Sequence, residues 1–409
     1  MVTALDMPGG PWSMAMTTCV AALVYFCVKF WAARQTIWRM QRAGLVGKPS
    51  FVQISVVIIH NIMWKISEDY SNGIFYLSLW PFSGTMMVLA DADAASQLDS
   101  LALGKGLDII DPIEKVTGEK SLLTMKGDEW KHWRRLFNPG FSAGYMMGLT
   151  SVIADEVGFF RQKLLAKCTT GQSEVFLLED LTLKMTFDII GSVVLTLLYC
   201  YYLLSQNPEI ISRTIAEHNE VFGTDSSQVQ DKIHKDPQLL NMIPYTVAFI
   251  KVVLRIFAPA GAMRQGRSDV QIVDADGRVL PTEGCNVWTL VQAIHHNPKY
   301  WKDPDACIPE RWLVAPEDPL YPQKGAWRPF EWGPRNCIGQ TLAMLELRIA
   351  LVMTVREFVI KPAYEDWDKL HPKSGIRSVK GNRAYQAVKG GGGAHPADGF
   401  PVRIGLRSC

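Results

Sequence analysis

One cysteine of this 409-residue chain stands in a setting that can do chemistry. Cys337 lies in Phe330-Glu331-Trp332-Gly333-Pro334-Arg335-Asn336-Cys337-Ile338-Gly339, with glycines on both sides and Arg335 two residues before it. Beyond it, Leu342, Leu345, Ile349 and Val352 recur at helical spacing, while Gln340, Glu346, Arg348 and Arg356 mark the expected polar face. The thiol therefore sits where a helix begins. Unpaired N–H groups and the helix dipole favour a thiolate there. Gly333 and Gly339 permit a tight turn and a close approach of backbone to something flat. Arg335 is placed to meet a carboxylate. A thiolate, a glycine-lined bulge and a guanidinium suit a haem held by sulfur. The plainer alternative is a buried structural cysteine ahead of an ordinary helix.

The decapeptide resembles the haem-binding loop of the cytochrome P-450 monooxygenases, Phe-x-x-Gly-x-Arg-x-Cys-x-Gly, at all five fixed positions: Phe330, Gly333, Arg335, Cys337 and Gly339. The resemblance implies a mainly α fold with small β-sheets, and haem with Cys337 as its axial thiolate. It also implies a monooxygenase that uses O2 and electrons from a membrane-bound NADPH-cytochrome P450 reductase. The substrate expected is a small apolar molecule, in the manner of fungal secondary metabolism. Trp130 and Arg134, four apart on one helical face after Gly127, resemble the family's propionate-binding Trp-x-x-x-Arg, with Asp128 as the expected helix cap. Arg264 resembles the propionate-binding arginine of the later segment, with Arg267 as the alternative. A reductase would dock where Lys131, Arg135, Lys324 and Arg328 give positive charge.

The elements that must position these residues begin with an apolar run. Trp12 to Val28 is almost wholly apolar or small, and Phe30 to Ala33 continue it past Lys29. That length predicts a membrane-spanning anchor over 12–33, behind a short tail (1–11) and ahead of a basic linker (34–50). Basic residues after the run and none before it place the haem domain, 51–409, on the cytoplasmic side, at the endoplasmic reticulum by resemblance. Phe51 to Ile62 reads as a core or membrane-surface helix. Gly73 to Leu79 and Thr85 to Leu89 read as a hairpin, and later strands are expected near 270–272, 287–288, 357–361 and 401–406. The glycine run at 390–393 is a flexible loop and not a phosphate cradle.

Two departures from the family's pattern matter for function. Leu181 to Gly191 resembles the family's fifth helix, but Gly191 to Leu204 then runs straight into Ser205-Gln206-Asn207-Pro208. The family's long central helix, with its acid-threonine pair, should lie between them, and roughly a hundred residues have no counterpart here. The other departure is in Phe249 to Pro259, which resembles the helix bearing Glu-x-x-Arg. Arg255 matches, and Val252 stands where the glutamate belongs. In the family that pair joins the arginine of a Pro-Glu-Arg-Trp segment, here with Glu310 and Arg311, and Glu310 is the remaining candidate partner for Arg255. Removing one partner of a buried ion pair costs about 3–5 kcal/mol.

Charge and cysteine usage set the outer limits. A net charge of +2 without a dense basic run excludes a nucleic-acid surface. Eight scattered cysteines form neither a zinc site nor a disulfide framework, which points to a reducing compartment. Three functions fit: an anchored haem-thiolate monooxygenase, a haem-binding but catalytically impaired member of the family, and a haem-free anchored remnant acting as a binding protein.

Overall fold

The computed structural model describes residues 11–42, 59–78 and 84–407, apart from 102, 107–109, 111–113, 116, 119, 171–173, 188–191, 260, 373–374 and 390–392. Helix α1 (Pro11–Arg42) comes first. Its Met16, Leu23, Tyr25 and Trp31 side chains are exposed. The spanning anchor expected over 12–33 is not borne out, since among the described residues no helix is long and apolar enough to cross a membrane. Ser13, Thr17 and Thr18 dilute the apolar run and Lys29 interrupts it, which makes α1 a helix of mixed polarity. The basic stretch 34–50 is helical as far as Arg42, and its remainder lies outside the described residues, as do 51–58.

The next elements are α2 (Ile59–Ser67), β1 (Ile74–Ser78), β2 (Thr85–Leu89) and α3 (Ala92–Ser96). Strands β1 and β2 form the expected antiparallel hairpin, with Ile74 opposite Leu89. Helix α4 (Gly127–Phe137) begins at Gly127. Its N-cap is Lys126 rather than Asp128, which lies in the first turn and binds Lys131 at 2.9 Å. Then come α5 (Ala143–Gly148), α6 (Thr150–Thr170), β3 (Phe176–Leu177) and α7 (Leu178–Phe187).

Helix α8 (Ser192–Gln206) follows α7 directly. Leu195, Leu197, Leu198 and Cys200 are buried on it, so the uninterrupted apolar run becomes a core helix. Pro208 opens α9 (Pro208–Phe222), and Gly223 at φ 70° closes it, the usual division of labour between these residues. Helices α10 (Val229–Lys235) and α11 (Pro244–Ile256) complete the middle of the chain. The N-terminus of α11 is capped from outside: Glu217 accepts the N–H groups of Tyr245 and Thr246 at 2.6 and 2.8 Å.

Four short strands follow: β4 (Met263–Gln265), β5 (Gln271–Val273), β6 (Val279–Pro281) and β7 (Cys285–Thr289). Met263–Gln265 is itself a strand and completes a sheet of order β1-β2-β7-β4, in which β2 and β7 are parallel. Strands β5 and β6 turn at Gly277, whose φ is 78°. After α12 (Val291–His296) comes α13 (Gln340–Thr354), the helix that begins just past Cys337. Leu345, Ile349, Leu351 and Val352 are buried on it, and it packs against α6, α8 and α11. Each such side chain contributes about 1.5–3 kcal/mol on burial. The chain ends with β8 (Phe358–Pro362), α14 (Tyr364–Leu370), the β9 (Gln386–Lys389) and β10 (Gly393–Pro396) hairpin, and β11 (Pro401–Leu406). Strand β11 lies between β3 and β8.

Candidate active site

Cys337 is held by the backbone of its own loop. Its N–H donates to the Phe330 carbonyl at 2.8 Å, and the N–H of Asn336 donates to the Gly333 carbonyl at 3.1 Å. Gly333 has φ 76°, and a Cβ there would stand 1.8 Å from the Asp99 carbonyl oxygen. No other residue fits, because the loop presses on the chain at Asp99 and needs a left-handed turn. Gly339 is the N-cap of α13 at φ −83°, so it meets no positive-φ demand. Phe330 is half-buried, edge to face with Trp327 at 6.2 Å.

Cys337 is exposed as a residue, yet burial of its thiol raises the pKa. The Gly339 N–H and the Arg134 guanidinium oppose that rise without cancelling it. The net effect of these surroundings disfavours the thiolate, and a cation bound to sulfur would favour it.

Trp130 and Arg134 share a face of α4 as expected, and both meet the loop. Arg134 donates to the carbonyl and to Oδ1 of Asn336, at 2.9 and 2.8 Å. Arg335 donates to the Met125 carbonyl at 3.1 Å and lies over the Trp130 ring at 4.1 Å. Arg264, on β4, lies in the same electrostatic neighbourhood. Burial lowers the pKa of Arg335 to about 10, and repulsion from Arg264 and Arg134 adds to the shift. Lys105 belongs to this group too: its pKa falls through burial and through repulsion from Arg264 and Arg335. Sequence reasoning missed Lys105, since nothing in Leu103-Gly104-Lys105-Gly106 marks it. Arg267 is instead paired with Asp269 at 2.8 Å on an exposed surface.

Mutually repelling, partly buried cations beside an exposed cysteine fit a flat apolar group that carries carboxylates. Trp133, Leu136 and Phe137 of α4 leave apolar surface exposed on the same helix. Arg264, Arg335 and Lys105 would meet its carboxylates, Arg134 being engaged with Asn336, and Cys337 would meet its metal. The proximal residues therefore fit a haem.

The second network is defective, as Val252 foretells. Arg255 is fully buried beside Arg311 and donates to the carbonyls of His295 and Ala306 at 2.8 and 2.9 Å. Burial and the nearby Arg311 lower its pKa to about 9. Among the described residues the Nε atoms of both arginines have no hydrogen-bond partner. Glu310 does not rescue Arg255; it pairs with Arg213, toward the surface. His295 and His296, side by side on α12, are buried and bonded to the backbone. Among the described residues no cluster of side chains suits a metal ion.

Two further expectations are corrected. Glu346 is fully buried rather than on a solvated face, and among the described residues neither carboxylate oxygen has a partner. Arg356 lies beyond the end of α13, buried against Asn219 at 3.1 Å. Arg328 is buried and pairs with Asp99 at 2.6 Å, so it takes no part in a docking surface. The described residues of the middle region run from α7 to α8 with no acid-threonine helix between them.

The comparisons agree with this geometry. The family model described as Cytochrome P450 matches residues 50–197 and 194–386, and the junction of the two pieces falls inside α8. Cytochrome P450 monooxygenase polC of Polytolypa hystricis is 28% identical over 528 residues, covering 95% of this chain and 94% of its own length. A match longer than this chain leaves roughly a hundred or more positions of that relative without a counterpart here. Cytochrome P450 monooxygenase acrF of Aspergillus aculeatus is 24% identical, over 84% of this chain and 96% of its own. Among solved structures, the haem domain of cytochrome P450DA superposes with a TM-score of 0.66 at 15% identity, covering 87% of this chain and 93% of that one. The loop, the fold and the matched spans together establish that this chain belongs to the cytochrome P450 family of haem-thiolate monooxygenases.

Proposed function

We propose that this chain is a haem-thiolate monooxygenase whose proximal half is built and whose distal half is curtailed, so that it binds haem but turns over slowly. Exposed Cys337, set at the start of α13 beside Arg134, Arg335, Arg264 and Lys105, is the observation that carries this reading. In this reading Cys337 would be the thiolate ligand of the haem iron and so the catalytic residue, and Arg335, Arg264 and Lys105 would hold the carboxylates. Arg134 holds the loop through Asn336, Trp130 supports Arg335, and Phe330 limits water at the sulfur. A thiolate-ligated haem supplies the cleavage of O2 and the oxidation of substrate. The substrate class is a small apolar molecule, and the setting is fungal secondary metabolism. Electrons come from an NADPH-dependent reductase docking at Lys131, Arg135 and Lys324 on the proximal side. The exposed apolar side chains of α1, followed by Arg34, Arg39 and Arg42, support residence at a membrane surface of the endoplasmic reticulum, with the haem domain facing the cytoplasm.

What is missing supports the impaired reading over full activity. Among the described residues no helix with an acid-threonine pair lies between α7 and α8, and Val252 leaves Arg255 without the glutamate of the family's pattern. The test is spectroscopic. The purified chain, reduced and exposed to carbon monoxide, is expected to give the strongly red-shifted band of a thiolate-bound haem, and Cys337→Ala is expected to abolish it. A variant that keeps the parent's absorption overturns the assignment, and absence of pigment in the parent favours the haem-free binding protein. Turnover with NADPH and reductase comparable to that of a full-length relative overturns the impairment.

A further inference from the structure

The 3₁₀ turn Pro237–Asn241, helix α5 and one face of α13, from Thr341 to Arg348, border a second cleft of about 400 Å³. That is within the range of small-molecule pockets, about 300–1,000 Å³. Its apolar wall is Met146, Met147 and Leu345, and its polar wall is Gln238, Asn241 and Arg348. Methionine side chains adapt to an occupant's shape better than branched ones do.

Arg348 gives the cleft its chemical preference. Three hydrogen bonds fix the guanidinium: Nε to the Met344 carbonyl at 3.0 Å, and Nη1 to the Leu240 carbonyl and Asn241 Oδ1 at 3.1 and 3.0 Å. All three acceptors are neutral. Among the described residues no carboxylate lies within ion-pair distance of Arg348, and its pKa is lowered by burial alone. A half-buried, pre-oriented cation at one end of an apolar cleft lacks only an anion. The cleft bounded by α8, α9 and β8 also has cations, Lys361 and Arg407, but at about 170 Å³ it falls below the ligand range.

We propose that this second cleft binds a medium-chain aliphatic carboxylate, with its carboxylate on Arg348 and its chain along Met146, Met147 and Leu345. None of the cleft's lining residues belongs to the haem loop 330–339, and the proposal does not depend on the haem reading. Calorimetric titration of the full chain with decanoate tests it, with decanol as the neutral comparison. Saturable decanoate binding is expected, with decanol weaker. Arg348→Gln is expected to weaken decanoate by about tenfold or more, the cost of losing a charge-assisted hydrogen bond. A second variant works by filling space: a Cβ at Gly144, which lines the cleft, meets nothing within 4 Å, so a side chain can start there without a clash and Gly144→Phe is expected to block binding. Circular dichroism confirms that each variant is folded, and the Gly144→Phe arm decides the matter if Arg348→Gln is not. No saturable binding by the parent, or equal affinity in a folded variant of each kind, overturns the proposal.

Discussion

Two buried charges dominate at the scale of single residues. Arg255 and Arg311 lie side by side among carbonyl oxygens, and Val252, fully buried one helical turn before Arg255, is the position from which a carboxylate would reach them. Supplying that carboxylate removes much of a penalty of about 3–5 kcal/mol, against about 1–3 kcal/mol for the larger side chain in a packed core. Val252→Glu is therefore expected to raise stability by about 1–3 kcal/mol net, read as a higher denaturation midpoint; an unchanged or lower midpoint contradicts this. Glu346 acts the other way. Burial raises its carboxyl pKa to about 8, above the value of about 4.3 in an unfolded chain. Below the unfolded value it is protonated in both states and adds no pH dependence. As pH rises from about 4.3 toward 8 the unfolded state ionises first, and the folded state loses stability throughout that window. Glu346→Gln is expected to flatten this dependence and to gain on the order of a few kcal/mol at pH 8 but little at pH 4. A parallel pH profile for parent and variant would rule it out.

At the scale of elements, the contact between α4 and the Cys337 loop is the one that sets the chemistry. Arg134 both clamps Asn336 and lowers the pKa of the thiol, against the rise caused by burial. Arg134→Leu is expected to raise the Cys337 pKa and to slow its alkylation in the haem-free chain at pH 8, measured on the Cys337 peptide by mass spectrometry. Equal rates would show that the helix is only a support. The loop, the hairpin β1–β2, strand β11 and the start of α13 were all legible from sequence, because each rests on neighbours in the chain: a turn glycine, an alternation, a helical period. Glu346 was misread as solvated because a helical period reveals one buried face, whereas α6, α8 and α11 surround α13 and bury more than that. Lys105, the Arg328–Asp99 pair and the partner of Glu310 were illegible for a related reason. Each depends on segments brought together only by the fold. The spanning anchor failed on composition, where length had suggested it.

At the scale of the whole molecule, the join between α7 and α8 decides what the chain can do. The family model matches in two pieces whose ends overlap within α8, and polC supplies many residues that this chain lacks. Helix α8 nonetheless packs on α11 and α13 and buries Leu195 through Cys200, so the join leaves the proximal scaffold intact. Binding of haem draws on that scaffold, whereas turnover needs a distal wall that excludes water and delivers protons at the reacting face. The two functions should therefore separate. Insertion of the polC central segment between Val194 and Leu195 is expected to leave the thiolate band in place and to raise NADPH-dependent product formation, by about 10²–10⁴-fold if general acid catalysis is the part restored. The parent is expected to retain the band with little product and to release most of the electrons it receives without oxidising substrate. Should the insertion leave turnover unchanged while the band persists, the limitation lies in the Arg255 network, and Val252→Glu in the same background becomes the variant that must raise it.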